Sequence, residues 1–217
     1  MEDRSILELP GPEPSAELYL PAGEKIGRVA LIHGGFWRPA YDRVHLRPMA
    51  AALRDAGWEV VSIEYRRVPG DPDVTVSDVR TALSAVAPDV ITGHSAGGHL
   101  ALWAAATMGL KAVALAPVAD LRLAEELNLD GGAVKAFLGV AASERGDLDP
   151  VRLPPSGAVL IHGERDTVVP IRLSQVYLAV HENSRLVELP GTAHFELIDP
   201  RANAWPIVIQ ELQRLLA

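Results

Sequence analysis

Residues 93–98 read Gly93-His94-Ser95-Ala96-Gly97-Gly98, between an apolar run containing Val90 and Ile91 and an apolar stretch from Leu100 to Met108. This is a Gly-x-Ser-x-Gly pattern set between a predicted strand and a predicted helix, the context in which such a serine is lifted clear of a sheet on a strained turn. Gly93 and Gly97 lack the Cβ atoms that would collide where strand and helix meet. The stretch therefore predicts both a βα unit and a nucleophile. A serine hydroxyl is a weak nucleophile at neutral pH, so the remaining chain must supply a base, an orienting acid and an oxyanion site.

Working outward, apolar runs alternate with segments of helical spacing. Residues 28–33, 58–65, 89–93, 113–116, 158–162 and 185–189 read as strands. Residues 44–56, with Leu46, Met49, Ala50 and Leu53 at helical spacing, read as a helix, as do 74–87, a segment opening near Pro170 and one from about residue 203. Strands alternating with helices of this length imply right-handed crossovers, and so an α/β fold with a mostly parallel, doubly wound sheet. The first 27 residues carry Pro10, Pro12, Pro14 and Pro21 and are expected to be mostly irregular, with a short edge strand at 17–20. The alternation lapses over 118–155, where two short helices are expected at 121–127 and 133–138. That segment is too short for its own core, so the chain is read as one domain, 1–217, with 118–155 as a small cap-like insertion.

Composition narrows the classes. The 217 residues are 48% hydrophobic and 22% charged, ordinary for a globular protein. A net charge of −8 speaks against nucleic acid or an anionic membrane as a partner. The absence of cysteine excludes disulfides and thiolate metal sites, and no histidine pair has metal-ligand spacing with a carboxylate, so neither metal nor cofactor is expected. The start of the chain lacks the basic-then-apolar layout of a secretion signal, and a cytoplasmic setting is expected.

The parts the serine requires fall after predicted strands. His194, in the loop following 185–189, is the expected base. Asp166, in the loop following 158–162, is the expected acid to accept the imidazole Nδ1 proton, with Glu164 as its rival. In a parallel sheet, loops at the carboxyl ends of strands face one crevice, which would gather Ser95, Asp166 and His194. Oxyanion donors are expected from the backbone N–H of Ala96, at a helix start, and of Gly35 and Phe36 in the loop after 28–33. His33 is read as bracing its own loop. His94 occupies the variable slot of the serine motif and His99 the helix, while His45, His162 and His181 have no identifiable partner.

These residues carry a resemblance. His33-Gly34-Gly35-Phe36-Trp37 together with Gly93-His94-Ser95-Ala96-Gly97-Gly98-His99-Leu100-Ala101 resembles the esterase/lipase branch of the α/β-hydrolases, which includes hormone-sensitive-lipase-like carboxylesterases and the kynurenine formamidases (arylformamidases). The former usually carry a third glycine and an aspartate where this chain has Phe36 and His94. The latter are similar at His-Gly-Gly-x-Trp and Gly-His-Ser-Ala-Gly, matched at 33–37 and 93–97. The resemblance implies an α/β-hydrolase fold along nearly the whole chain. It also implies a Ser95, Asp166, His194 triad and a small-molecule ester or activated amide as substrate, with a carboxylesterase and an arylformamidase as the two expected activities. Trp37, Phe36 and Phe195 are expected to line a pocket for a short acyl group.

Overall fold

The computed structural model describes residues 4–10 and 15–216. Eight strands form one sheet: β1 (Arg4–Glu8), β2 (Ser15–Tyr19), β3 (Gly27–Ile32), β4 (Trp58–Ile63), β5 (Val90–His94), β6 (Ala112–Leu115), β7 (Val159–Gly163) and β8 (Arg185–Leu189). Their order is β1-β2-β4-β3-β5-β6-β7-β8. From β4 to β8 every neighbouring pair is parallel, and β1 and β2 are added antiparallel at one edge.

The helices α1 (Arg47–Asp55), α2 (Pro72–Val86), α3 (Ala96–Met108), α6 (Arg172–Val180) and α7 (Trp205–Arg214) alternate with the strands, while α4 (Leu121–Glu126) and α5 (Ala133–Leu138) fall between β6 and β7. Two apolar clusters cover the two faces of the sheet. One gathers Ala30, Ile32, Ile91 and Ala114 with α2 and α3, the other Val29, Leu31, Val90 and Val113 with α1 and α7. Neighbouring positions on a strand point to opposite faces, so the unbroken apolar run of β3 feeds both. Among the described residues, no helix is long and apolar enough to cross a membrane.

The N-terminal expectation needs correction. Two paired strands replace the largely irregular stretch, and β2 lies inside the sheet while β1 forms the edge. Pro10 and Pro21 flank the strands, and Pro12 and Pro14 fall outside the described residues. The signal was hidden by Glu17, which looks like a surface residue but is buried in β2. Tyr19 Oη donates to it at 2.7 Å and Arg47 at 2.5 Å, with Arg4 and Arg43 at 3.6 and 3.8 Å. These contacts hold its carboxyl below the usual range even though burial pushes it up.

The 118–155 segment has its two short helices where they were expected. Its apolar side chains, among them Leu121, Val134, Phe137 and Leu138, join the cluster that includes α3.

Candidate active site

β5 ends and α3 begins on either side of Ser95, whose backbone sits at φ 59°, ψ −118°. For a residue with a Cβ this conformation costs about 1–3 kcal/mol and persists only where the surroundings hold it. They do: Ser95 N–H donates to the Leu115 carbonyl at 2.9 Å, and the Ser95 carbonyl accepts from His99 N–H at 3.0 Å. The glycines allow the closeness this needs. A Cβ on Gly97 would stand 2.2 Å from the Ile32 carbonyl oxygen, and one on Gly93 2.2 Å from that of Gly97. Ala96 opens α3, so its N–H is one of the first-turn donors without an intrahelical acceptor.

The loop after β8 carries His194 and the loop after β7 carries Asp166, and the two meet. His194 Nδ1 lies 2.6 Å from Asp166 Oδ2. Since the carboxylate can only accept, Nδ1 carries a proton, so in the neutral ring Nε2 is the nitrogen with the free lone pair. Asp166 Oδ1 accepts from the N–H groups of Val168 at 2.9 Å and Val169 at 2.8 Å. His162 adds a contact: its Nε2–H donates to the Val169 carbonyl at 2.8 Å and stands 3.3 Å from Asp166 Oδ2, while its Nδ1 pairs with Ser174 Oγ at 2.7 Å. Burial would raise the Asp166 carboxyl, but the hydrogen bonds from His162 and His194 outweigh it and hold the group well below the usual carboxylate range. Glu164 is exposed and makes no such contact with His194.

The loop after β3 is bent through left-handed conformations at three successive residues, Gly35 (φ 102°), Phe36 (φ 50°) and Trp37 (φ 54°). His33 braces it from below. Its Nδ1 donates to the Gly34 carbonyl and its Nε2 meets Glu64 Oε1, both at 2.8 Å, and its ring stacks on Tyr65 at 4.2 Å. Burial pushes the Glu64 carboxyl up, but His33 and Arg67 bring it down to about 2.

A cavity of about 500 Å³ gathers Gly35, Phe36, Ser95 and His194, and its wall adds Tyr41, Val168, Phe195 and Ile198. Phe195 is 64% exposed at its mouth. Trp37 is elsewhere, contrary to its expected place in the pocket wall. It is buried, stacked on Phe137 of α5 at 4.6 Å and edge-on to His99 at 5.1 Å. A positive φ at Trp37 turns its side chain into the core, where it clamps the 118–155 segment to α3 rather than meeting a ligand. Asp130, from the same segment, reaches the cavity and accepts from Arg38 Nε at 2.5 Å.

The histidines read as partnerless have partners. His162 is described above, His181 Nε2 donates to the Pro150 carbonyl at 3.0 Å, and His45 Nδ1 to the Asp42 carbonyl at 2.6 Å. His94 also lines the cavity. A histidine at a strand end facing another strand-end loop is the signal that sequence reading passed over. Among the described residues, no group of three or more His, Cys, Asp or Glu side chains is arranged to hold a metal ion.

Comparison with known proteins agrees with this architecture. Residues 29–149 match the model of the alpha/beta hydrolase family. The chain is 39% identical over 89 residues to "Probable carboxylic ester hydrolase LipM" of Mycobacterium tuberculosis, a match covering 35% of this chain and 20% of that protein. It therefore spans about one fifth of the length of that curated relative. Among solved structures, an inhibited esterase B from Lactobacillus rhamnosis superposes with a TM-score of 0.76 at 22% identity, covering 93% of this chain and 79% of the other. An esterase from the planctomycete Thermogutta terrifontis superposes with a TM-score of 0.71 at 20% identity, covering 99% and 92%. The family match extends over more than half of the sequence, from β3 through the serine turn and into the segment before β7, and the chain belongs to the alpha/beta hydrolase family.

Proposed function

We propose that this chain is a serine hydrolase of the esterase/lipase branch, cleaving small-acyl esters through an acyl-enzyme. The observation that carries the reading is the 2.6 Å contact of His194 Nδ1 with Asp166 Oδ2, in a cavity whose wall also holds Ser95 on its strained turn. In this reading His194 Nε2 takes the proton from Ser95 Oγ as Oγ bonds to the acyl carbon. Asp166 stabilises the imidazolium, and the backbone N–H groups of Ala96, Phe36 and Gly35 stabilise the developing oxyanion. The imidazolium then protonates the departing alkoxide as the carbon–oxygen bond breaks. Water, deprotonated by the same imidazole, releases the acid and restores Ser95.

The similarity to "Probable carboxylic ester hydrolase LipM" and to solved esterases supports an ester as substrate. The apolar wall of Phe36, Val168, Phe195 and Ile198 in a cavity of about 500 Å³ suits a short acyl group. A second reading, an arylformamidase, is favoured by the His33-Gly34-Gly35-Phe36-Trp37 loop with the 93–97 motif, and a formyl group fits the same space. We infer that 118–155 acts as a small cap, since Asp130 brings it to the cavity. A cytoplasmic setting belongs to the same proposal, resting on the cysteine-free composition, and cell fractionation checks it.

A fluorophosphonate probe should label the wild-type chain and leave Ser95→Ala unlabelled. A folded wild type that resists labelling would remove the hydrolase reading and point to a non-catalytic binding protein. Turnover of p-nitrophenyl acetate, p-nitrophenyl butyrate and N-formylkynurenine then separates esterase from formamidase.

A further inference from the structure

His194 is held at two points. Its ring is tied to Asp166, and its backbone carbonyl accepts a hydrogen bond from His94 Nε2–H at 3.0 Å. The two imidazoles are also in tilted contact, with an interplanar angle of 48° and centroids 4.3 Å apart, and Phe195 meets the His194 ring edge-on at 5.0 Å and the His94 ring at 6.0 Å. His94 is buried at the carboxyl end of β5, directly before Ser95. Its own backbone touches the oxyanion loop, since a Cβ on Gly34 would stand 2.6 Å from the His94 carbonyl oxygen. One residue therefore contacts the loop that carries the base, the loop that carries the oxyanion donors, and the serine itself through the chain.

We propose that His94 is a positioning residue for the hydrolytic reaction, its Nε2–H fixing the 194 backbone so that the imidazole stays aligned between Asp166 and Ser95. The proposal rests on the serine-hydrolase reading above. Its chemistry is suited to the task. The donor is rigid and reaches across from one strand end to the next loop. Burial, with His194 beside it, holds the His94 imidazole well below its ordinary value. A neutral ring does not repel the imidazolium that forms on His194 during acyl transfer. The loop after β8 is otherwise tied back at Thr192, whose carbonyl accepts from Arg165 N–H at 3.0 Å, two residues short of the base. Residue 194 also caps the short turn 195–197, and Ala193 N–H donates to Glu196, but both of these are local to the loop; the His94 bond ties the 194 backbone to the end of β5. A displacement near 1 Å at a reacting group costs about 10²-fold in rate.

The test uses two substitutions in the full chain. His94→Phe keeps a flat ring against His194 and removes the donor; His94→Gln restores an N–H at the same reach. With p-nitrophenyl acetate, His94→Phe should lower kcat about 10²-fold at nearly unchanged KM, and His94→Gln should recover most of it. The low-field proton resonance of the His194–Asp166 hydrogen bond should broaden or shift in His94→Phe and return in His94→Gln. A His94→Phe protein with kcat within about twofold of wild type and an unmoved resonance would overturn the proposal. So would failure of His94→Gln to recover activity in a folded protein, which would leave only packing at this position. A wild type that fluorophosphonate does not label would instead sink the hydrolase reading, and the resonance, which needs no substrate, keeps the two failures apart.

Discussion

Asp166, in the loop after β7, and Asp149, at the end of the 118–155 segment, are both withdrawn from solvent, at 8% and 0% exposure. Both accept hydrogen bonds from backbone N–H groups, Asp166 from Val168 and Val169, Asp149 from Leu121 at 2.9 Å. Their carboxyls nevertheless move in opposite directions. Burial pushes both up, but at Asp166 two imidazoles reverse it, whereas the Asp149 carboxyl rises to about 6. Asp149 Oδ2 has no partner, and Asp120 nearby adds to the push. Burial sets the cost of a charge, and the donors around it decide whether the charge survives. The crevice supplies imidazole donors to the carboxylate of Asp166; the surroundings of Asp149 supply none to its second oxygen.

The largest expected effect tests the partnered aspartate. Asp166→Asn should lower kcat about 10³–10⁴-fold, because an amide cannot hold the His194 tautomer or stabilise its cation. The asparagine oxygen can still accept from Val168 and Val169, so the chain should still fold, with a lower melting temperature at neutral pH because the stabilising carboxylate charge is gone. Activity within tenfold of wild type would move the orienting role elsewhere.

His162→Phe strips Asp166 of one of its two imidazoles and should cost about tenfold in kcat/KM. It should also alter acid stability. A depressed carboxyl contributes stability that is present above the ordinary aspartate value of 3.8 and is lost as pH falls toward the folded value. Weakening that depression moves the acid-unfolding midpoint to higher pH, which a pH titration followed by circular dichroism reads directly.

Asp149→Asn should act with the opposite sign, on stability and not on turnover. A raised carboxyl retains its proton in the folded chain, so its stabilising effect is complete below 3.8 and disappears as pH rises through about 6. At pH 8 the substitution should therefore stabilise the chain by on the order of 1–3 kcal/mol, keeping the Leu121 hydrogen bond and removing the buried charge. It should also flatten the stability profile between those two values. Equal wild-type and variant melting curves across that range would show that Asp149 finds a partner in solution.

The smallest effect concerns the tip of the insertion. Arg38 and Asp130 pair at 38% and 42% side-chain exposure, so Arg38→Ala should cost less than about 1 kcal/mol in stability. Because Asp130 reaches the cavity, the ratio of p-nitrophenyl butyrate to acetate turnover should shift while the stability hardly moves. An unchanged ratio would detach the insertion from acyl selection.

Much of this architecture could be read from residues in order. The runs 29–32, 113–116 and 158–161 are continuously apolar, β4, β5 and β8 are apolar-rich, and the Ser95 turn announces itself by glycine spacing. The two short helices of the insertion fall within a residue of the expected bounds. What escaped were side chains whose burial depends on distant partners. Glu17 was placed on an edge strand, and its burial depends on Arg43 and Arg47, which come from beyond β3. Trp37 looked like a pocket wall until its backbone turned it onto Phe137. His94 looked idle because its acceptor lies on the loop after β8, and His162 because the loop after its own strand folds back onto its ring.

The sequence by itself determined the chain order of strands and helices from β3 onward, the strained serine, and the two strand-end loops in which Asp166 and His194 stand. Those features depend on neighbours within a few residues: glycine spacing, apolar periodicity and the ends of strands. Only the tertiary structure decided which carboxyl meets His194 Nδ1, which aromatic rings face the cavity, and which buried aspartate has donors. Such outcomes depend on angstrom-scale contacts between residues far apart in the chain, and a hydrogen bond or a desolvated charge has no signature until both partners are in place.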